Sequence, residues 1–230
     1  FHFLIQDNNY YLDLEALEAF DPSKAKLTFI CSPSNPLGHK FSKESIYRVC
    51  EYFSDSGLVV LDGAYVEFDS DEVYKEILSK FDNVIILRTL SKAFGLAGVR
   101  CGVLISSDEI CQYIERVIPP YSFSTPAVNA VIESLSDEGI KESKRNIETI
   151  IEDRRWLETE LESLDEVIEV FPSYTNFILI KVNDAKAFCK KSQDLGFLLR
   201  DVSYQPLLEN CVRITVGTTE QNQKLIRGLK

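Results

Sequence analysis

Three short apolar runs, each ending in a polar turn, constrain this chain more than anything else in it. Leu27–Ile30 leads into Ser32-Pro33-Ser34-Asn35-Pro36. Leu58-Val59-Val60-Leu61 stops at Asp62, and Val84–Leu87 leaves through Thr89-Leu90-Ser91-Lys92. Apolar runs without alternation are what strands covered on both faces require. A helix is expected after the first run, with Ser42 as its N-cap and Glu44 in the first turn, where the helix dipole favours negative charge. Ile46, Val49, Cys50 and Phe53 then recur at the spacing of one buried helical face, and Gly57 reads as a stop. Asp71 is placed to cap a second short helix, with Val73 and Ile77 one turn apart, and Val99–Ser106 reads as a further strand. This alternation predicts an α/β fold, with a mostly parallel sheet and helices on both sides. Functional side chains in such sheets gather beyond the carboxyl ends of the strands. Asn35, Asp62 and Lys92 all follow strand ends.

The second half reads differently. Pro119-Pro120-Tyr121 to Pro126 is a connector, dividing the chain into residues 1–125, a large domain, and residues 126–230, a small C-terminal α+β domain. Asp137–Leu164 has a long helical pattern. A strand (Phe177–Val182), a helix (Ala185–Leu195), two strands (Phe197–Arg200 and Val212–Val216) and a last helix follow, with Thr218 and Gln221 spaced as a capping box.

Charge narrows the function classes. A formal net charge of −11 and a pI near 4.8 argue against a general nucleic-acid binder, which needs a basic face to displace counterions. No apolar run approaches the ~20 residues that cross a bilayer, so no membrane partner is expected. The six cysteines form no C-x-x-C pair and only His2 and His39 could assist them, so no metal site is expected. Scattered cysteines without a secretory signal point to reduced thiols and a cytoplasmic location. The chain begins at Phe1 and has no methionine, so an N-terminal segment is expected to be missing from the large domain.

Three blocks carry chemistry. A lysine after a strand is by itself usually a surface charge. Lys92 is distinguished by its neighbours: the hydroxyls of Thr89 and Ser91, Gly95 and Gly98 where a backbone can approach a ligand, and Arg100, a fixed fork for phosphate oxygens. A lysine beside a phosphate-binding set is what pyridoxal 5'-phosphate (PLP) requires. That cofactor is an electron sink only while its ring nitrogen stays protonated, which calls for a carboxylate, and Asp62 at a buried strand end supplies one. Tyr65 and the amide of Asn35 suit the ring's phenolic oxygen.

In this order the blocks resemble the fold-type I PLP-dependent aminotransferases. The match runs from Asn35 of N-P-x-G, through Asp62-x-x-Tyr65 and Ser91-Lys92, to Arg100. More narrowly, Asp62-Gly-Ala-Tyr-Val-Glu-Phe68, the stretch Leu87–Gly98 and Val212-Arg-Ile-Thr-Val-Gly-Thr218 are similar to histidinol-phosphate aminotransferases. The resemblance implies a homodimer with a large PLP-binding domain and a small C-terminal domain. It implies that Lys92 carries PLP as a Schiff base and shuttles the proton, and that Asp62 pairs with the ring nitrogen. Asn35 and Tyr65 bind the phenolic oxygen, while Thr89, Ser91 and Arg100 face the phosphate. It makes Arg213 the substrate-carboxylate arginine and Arg200 a second anion-binding arginine. The implied reaction is amino transfer between histidinol phosphate and 2-oxoglutarate in histidine biosynthesis. Gly63 stands where the family usually has glutamate, and Leu37 where it usually has threonine. The rival readings are another fold-type I enzyme, such as an aromatic aminotransferase or a threonine-phosphate decarboxylase, and a non-catalytic binding protein that kept the fold.

Overall fold

The computed structural model describes residues 12–69 and 72–230. They pack as two compact units. The first takes in the chain up to Pro33 and again Phe41–Arg145; the second takes in Ser34–Lys40 and Asn146–Lys230.

In the first unit, α1 (Leu14–Ala19) precedes β1 (Leu27–Cys31), α2 (Lys43–Tyr52), β2 (Leu58–Asp62), α3 (Glu72–Ile77), β3 (Val84–Thr89) and β4 (Gly102–Ile105). The sheet order is β1-β2-β3-β4, parallel through the first three strands and antiparallel at β4. Ile30, Val59, Leu61, Val84 and Ile86 form one face of the core, against Leu17 of α1, Ile46, Val49 and Phe53 around α2, and Ile77 of α3. Burying each of these large side chains is worth about 1.5–3 kcal/mol. Ser42 caps α2, its side chain accepting from the Ser45 N–H. The expected Asp71 cap lies outside the described residues.

Two expectations are corrected here. The strand expected over Val99–Ser106 begins only at Gly102, because Ala97–Val99 makes a 3₁₀ turn and Arg100 takes a left-handed backbone (φ 58°). Gly57 does not stop α2, which ends at Tyr52 with Phe53 as its C-cap. It serves a close approach of two chain segments instead. A β-carbon there would meet the Ala25 carbonyl oxygen at 2.6 Å and that of Lys26 at 2.9 Å. Gly57→Ala should therefore pry the lead-in of β1 from β2, costing about 1–3 kcal/mol and lowering the melting temperature by several degrees. A melting curve that coincides with the wild type would show that the contact has slack.

After β4 come α4 (Asp108–Glu115), α5 (Thr125–Ser134) and α6 (Asp137–Glu162). The Pro-rich stretch before α5 does not mark the division expected near residue 125. α5 packs on the Ala97–Val99 turn of the first unit, and the boundary falls inside α6, between Arg145 and Asn146.

The second unit is an antiparallel sheet of β5 (Val167–Val170), β6 (Phe177–Val182), β7 (Arg200–Asp201) and β8 (Cys211–Thr215), in the order β5-β6-β8-β7, with α7 (Ala185–Asp194) and α8 (Thr219–Leu229). Its core joins Leu157 and Leu161 of α6 to Ile178, Ile180, Val212, Ile214 and the buried side of α8. The expected capping box is present: Gln221 N–H meets the Thr218 hydroxyl, and Thr218 N–H meets the Gln221 side chain at 2.9 Å. The strand expected over Phe197–Arg200 is displaced to Arg200–Asp201. Gly196 (φ 90°) and the bond from Phe197 N–H to the Ser192 carbonyl finish α7 first, so ladder pairing starts at Arg200.

The segment Ser34–Lys40 belongs to this second unit for a local reason. Its turn is closed by Ser34 N–H on the His39 carbonyl (2.7 Å) and Gly38 N–H on the Ser34 carbonyl (2.9 Å). The Gly38 carbonyl then accepts from Tyr174 N–H at 2.8 Å. Gly38 has φ 77°, and a β-carbon on it would lie 2.7 Å from the Ser173 hydroxyl, so the turn sits flush on the strand connection before β6.

Candidate active site

In the first unit the candidate residues lie where β2 and β3 end. Asp62 is the last residue of β2 and pairs in register with Leu87 of β3, two residues before that strand ends at Thr89. The two exits are therefore neighbours. Asp62 Oδ1 accepts the Ala64 N–H at 3.1 Å, an Asx turn that bends the chain at once and carries Tyr65 back into the unit, where it is 5% exposed. Lys92 lies on the turn beyond β3, exposed, with its Nζ 5.4 Å from the centroid of the Tyr65 ring. A lysine amine, a phenol and a carboxylate are thus gathered at two adjacent strand ends.

The turn around Lys92 is built tightly. Thr89 Oγ1 accepts the Ser91 N–H at 3.1 Å and donates to the Cys101 carbonyl at 3.3 Å. Its only proton is therefore committed to shaping the turn, which leaves it none to offer an anion. Gly95, at φ 68°, returns its N–H to the Lys92 carbonyl at 3.1 Å. Arg100 is exposed and its Nη1 donates to the Ala97 carbonyl at 3.1 Å.

Sequence reasoning missed the groups behind Asp62. Arg88 pairs with Glu67 at 2.9 Å, both side chains largely buried. The Arg88 Cδ would lie 3.3 Å from a β-carbon on Gly63, so the glycine makes room for that arginine. Tyr74 is buried and donates to the Ser32 carbonyl. Burial, reinforced by the neighbouring Cys31 and Asp62, pushes its phenol well above the ordinary range. The available signal was a charged residue, Arg88, directly after the apolar run Val84–Leu87 and still within the strand.

The second unit gathers the other candidates. Arg200 of β7 and Arg213 of β8 are register partners, so both side chains stand on one face of the sheet. Like charges directly opposite each other are unfavourable without a counter-charge. Arg213 Nη1 donates to Asn35 Oδ1 at 2.6 Å, which leaves the Asn35 amide N–H groups as that side chain's donors. The Arg213 guanidinium lies 5.0 Å from the Phe177 ring centroid, and its buried Nε has no hydrogen-bond partner among the described residues. A cleft of about 300 Å³ opens here, lined by Asn35, Pro36, Arg200, Val202, Tyr204, Gln205 and Arg213. Among the described residues no acidic side chain lines it. Tyr204 and Gln205 were not foreseen, because only their seating after β7 brings them to the arginines. The Gln205 side-chain amide donates to the Tyr204 hydroxyl at 3.3 Å. That bond, followed by the nearby Arg200 guanidinium, lowers the Tyr204 phenol below its usual range.

Among the described residues no group of three or more His, Cys, Asp or Glu could hold a metal ion, and no helix is long and apolar enough to cross a membrane. The six cysteines are free thiols. Burial pushes Cys50 up to about 12 and Cys211 to about 11, which makes both poor nucleophiles.

Comparison with known proteins extends these observations. The histidinol-phosphate aminotransferase of Pectobacterium carotovorum is 38% identical over 222 residues, a match that takes in 96% of this chain and 62% of that protein. The chain thus spans about three fifths of the length of such relatives. Among solved structures, the histidinol-phosphate aminotransferase of Clostridium acetobutylicum superposes with a TM-score of 0.88 at 24% identity, over 97% of this chain and 68% of that one. That of Sinorhizobium meliloti, solved in complex with pyridoxal-5'-phosphate, gives 0.82 at 26% identity, over 97% and 61%. The family model for aminotransferase class I and II matches residues 3–229, and on this match over nearly its whole length the chain belongs to that family.

Proposed function

We propose that this chain carries the cofactor-binding and substrate-binding core of a PLP-dependent aminotransferase that transfers the amino group of histidinol phosphate to 2-oxoglutarate in histidine biosynthesis. The observation that carries the reading is the meeting of Lys92, Tyr65 and Asp62 at the ends of β2 and β3. The similarity to histidinol-phosphate aminotransferases supports the substrate.

The residues present fit the cofactor. Lys92 is assigned to hold it covalently and Asp62 to its ring nitrogen. Tyr65 and the Asn35 amide are assigned to its phenolic oxygen, and Ser91 and Arg100 to its phosphate. Thr89 is left out of the phosphate contacts, since its proton goes to Cys101. When bound, PLP supplies an electron sink for the bonds at the substrate's amino-bearing carbon. The Lys92 amine takes the proton from that carbon and returns it to the cofactor side, a task for a flexible, solvent-reachable base. Asp62 keeps a negative charge beside the ring nitrogen, so that the proton stays there. Arg213 and Arg200 bind the anionic ends of the substrates, carboxylate in one half-reaction and phosphate in the other, in a ping-pong cycle. A homodimer belongs to the same proposal, as does a cytoplasmic location, which the free cysteines fit.

The test is borohydride reduction of the PLP-loaded full-length protein followed by peptide mapping. We expect a single pyridoxyl label, on Lys92. A label elsewhere, or none, overturns the assignment, and none would favour the non-catalytic reading. Turnover is then compared on histidinol phosphate, phenylalanine and threonine phosphate. We expect histidinol phosphate to be preferred, with glutamate formed from 2-oxoglutarate. Carbon dioxide release from threonine phosphate without amino transfer would replace the substrate reading by decarboxylation.

A further inference from the structure

We infer that Tyr204 is a specificity-determining residue of the Arg200–Arg213 cleft, its hydroxyl donating a hydrogen bond that a phosphate monoester uses and a carboxylate does not. The inference rests on the proposed reading of this cleft as the substrate-anion site.

The argument begins with donor geometry. A carboxylate presents two oxygens in one plane, and a single guanidinium fork satisfies both. A phosphate monoester presents three terminal oxygens on a tetrahedron and carries nearly two charges. It therefore has room for both forks and one more donor out of their planes. Arg200 and Arg213 supply the forks from one face of the β7–β8 ladder. Asn35 turns its oxygen to Arg213 and its amide donors are assigned to the cofactor, while Pro36 and Val202 bring no donor side chain. The remaining polar groups lining the cleft are Tyr204 and Gln205.

Their pairing bears on where the phenol's proton points. The Gln205 amide gives a proton to the Tyr204 oxygen at 3.3 Å, and the Arg200 guanidinium lies beside the same oxygen. A phenol has one proton to give. With donors on its acceptor side, that proton points away from both of them. Asp201, next to Arg200 in sequence, alternates to the other side of β7 and takes the Ser203 N–H at 2.8 Å. Among the described residues no carboxylate lines the cleft to take the proton first.

The experiment is isothermal titration of the PLP-loaded protein with inorganic phosphate and, separately, with succinate. Loading with PLP fills the cofactor's own phosphate site beforehand. Tyr204 is 70% exposed, so Tyr204→Phe should leave the melting temperature unchanged, which is checked first. We expect Tyr204→Phe to weaken phosphate about tenfold, the scale of one hydrogen bond to a charged group, and succinate by less than about twofold. Arg213→Ala should weaken both anions. Equal phosphate affinity in wild type and Tyr204→Phe, or an equal loss for both anions, overturns the role of Tyr204 and leaves the anion site standing. If the wild type binds neither anion, or Arg213→Ala changes neither affinity, the anion-site reading falls and this inference with it. The Lys92 label is read independently of both results.

Discussion

Lys92→Ala should lower amino transfer by roughly four orders of magnitude or more and abolish the borohydride label. Loss of a positioned proton-transfer group alone costs about 10²–10⁴-fold, and the same substitution removes the covalent attachment. The loss should come without unfolding. Lys92 is exposed, and the hydrogen bond at this residue runs from Gly95 N–H to the Lys92 backbone carbonyl, which alanine keeps. Substitutions at such surface positions stay within about 0.5 kcal/mol. The decisive measurement pairs single-turnover rates with a melting curve. A variant that keeps more than a tenth of the wild-type rate would mean that another group does this work.

Asp62→Asn is the second large effect, and it separates charge from shape. Asparagine still offers an oxygen to the Ala64 N–H, so the turn that carries Tyr65 should survive. What goes is the negative charge that keeps the ring nitrogen protonated. We expect a fall of roughly 10²–10³-fold in the rate, comparable to removing one preorganised electrostatic partner. The bound cofactor's absorption should shift while the melting temperature moves by only about 1 °C. An unchanged spectrum and rate would remove Asp62 from the cofactor.

Strand ends in an α/β sheet are readable because an unalternating apolar run must be buried and the polar residue after it must exit. Asp62 and Lys92 are visible for that reason. The Arg200–Arg213 pair is visible only as spacing, since the ladder that sets them opposite one another depends on where β7 begins. Gly196 and the finish of α7 move that start to Arg200, a tertiary effect that periodicity does not contain. Gly57 looks like punctuation and is a contact, because the atoms it avoids lie some thirty positions earlier, at Ala25 and Lys26. The domain boundary hides for a similar reason. A proline-rich stretch signals a turn, and only packing shows that α5 stays with the first unit. Tyr204 and Gln205 carry no pattern at all; their relevance comes from sharing a cleft with two guanidiniums.

The placement of Ser34–Lys40 has a consequence for synthesis and dissection. This turn leaves the ribosome long before Asn146, where the remainder of its unit begins. Until the strands after α6 are made, Gly38 has no Ser173 to rest on and Asn35 no Arg213 to orient it. The second unit therefore cannot be completed co-translationally ahead of the first, nor released by a single cut. A fragment starting at Asn146 would carry both cleft arginines yet lack the asparagine that one of them holds, so its cleft would be missing a wall.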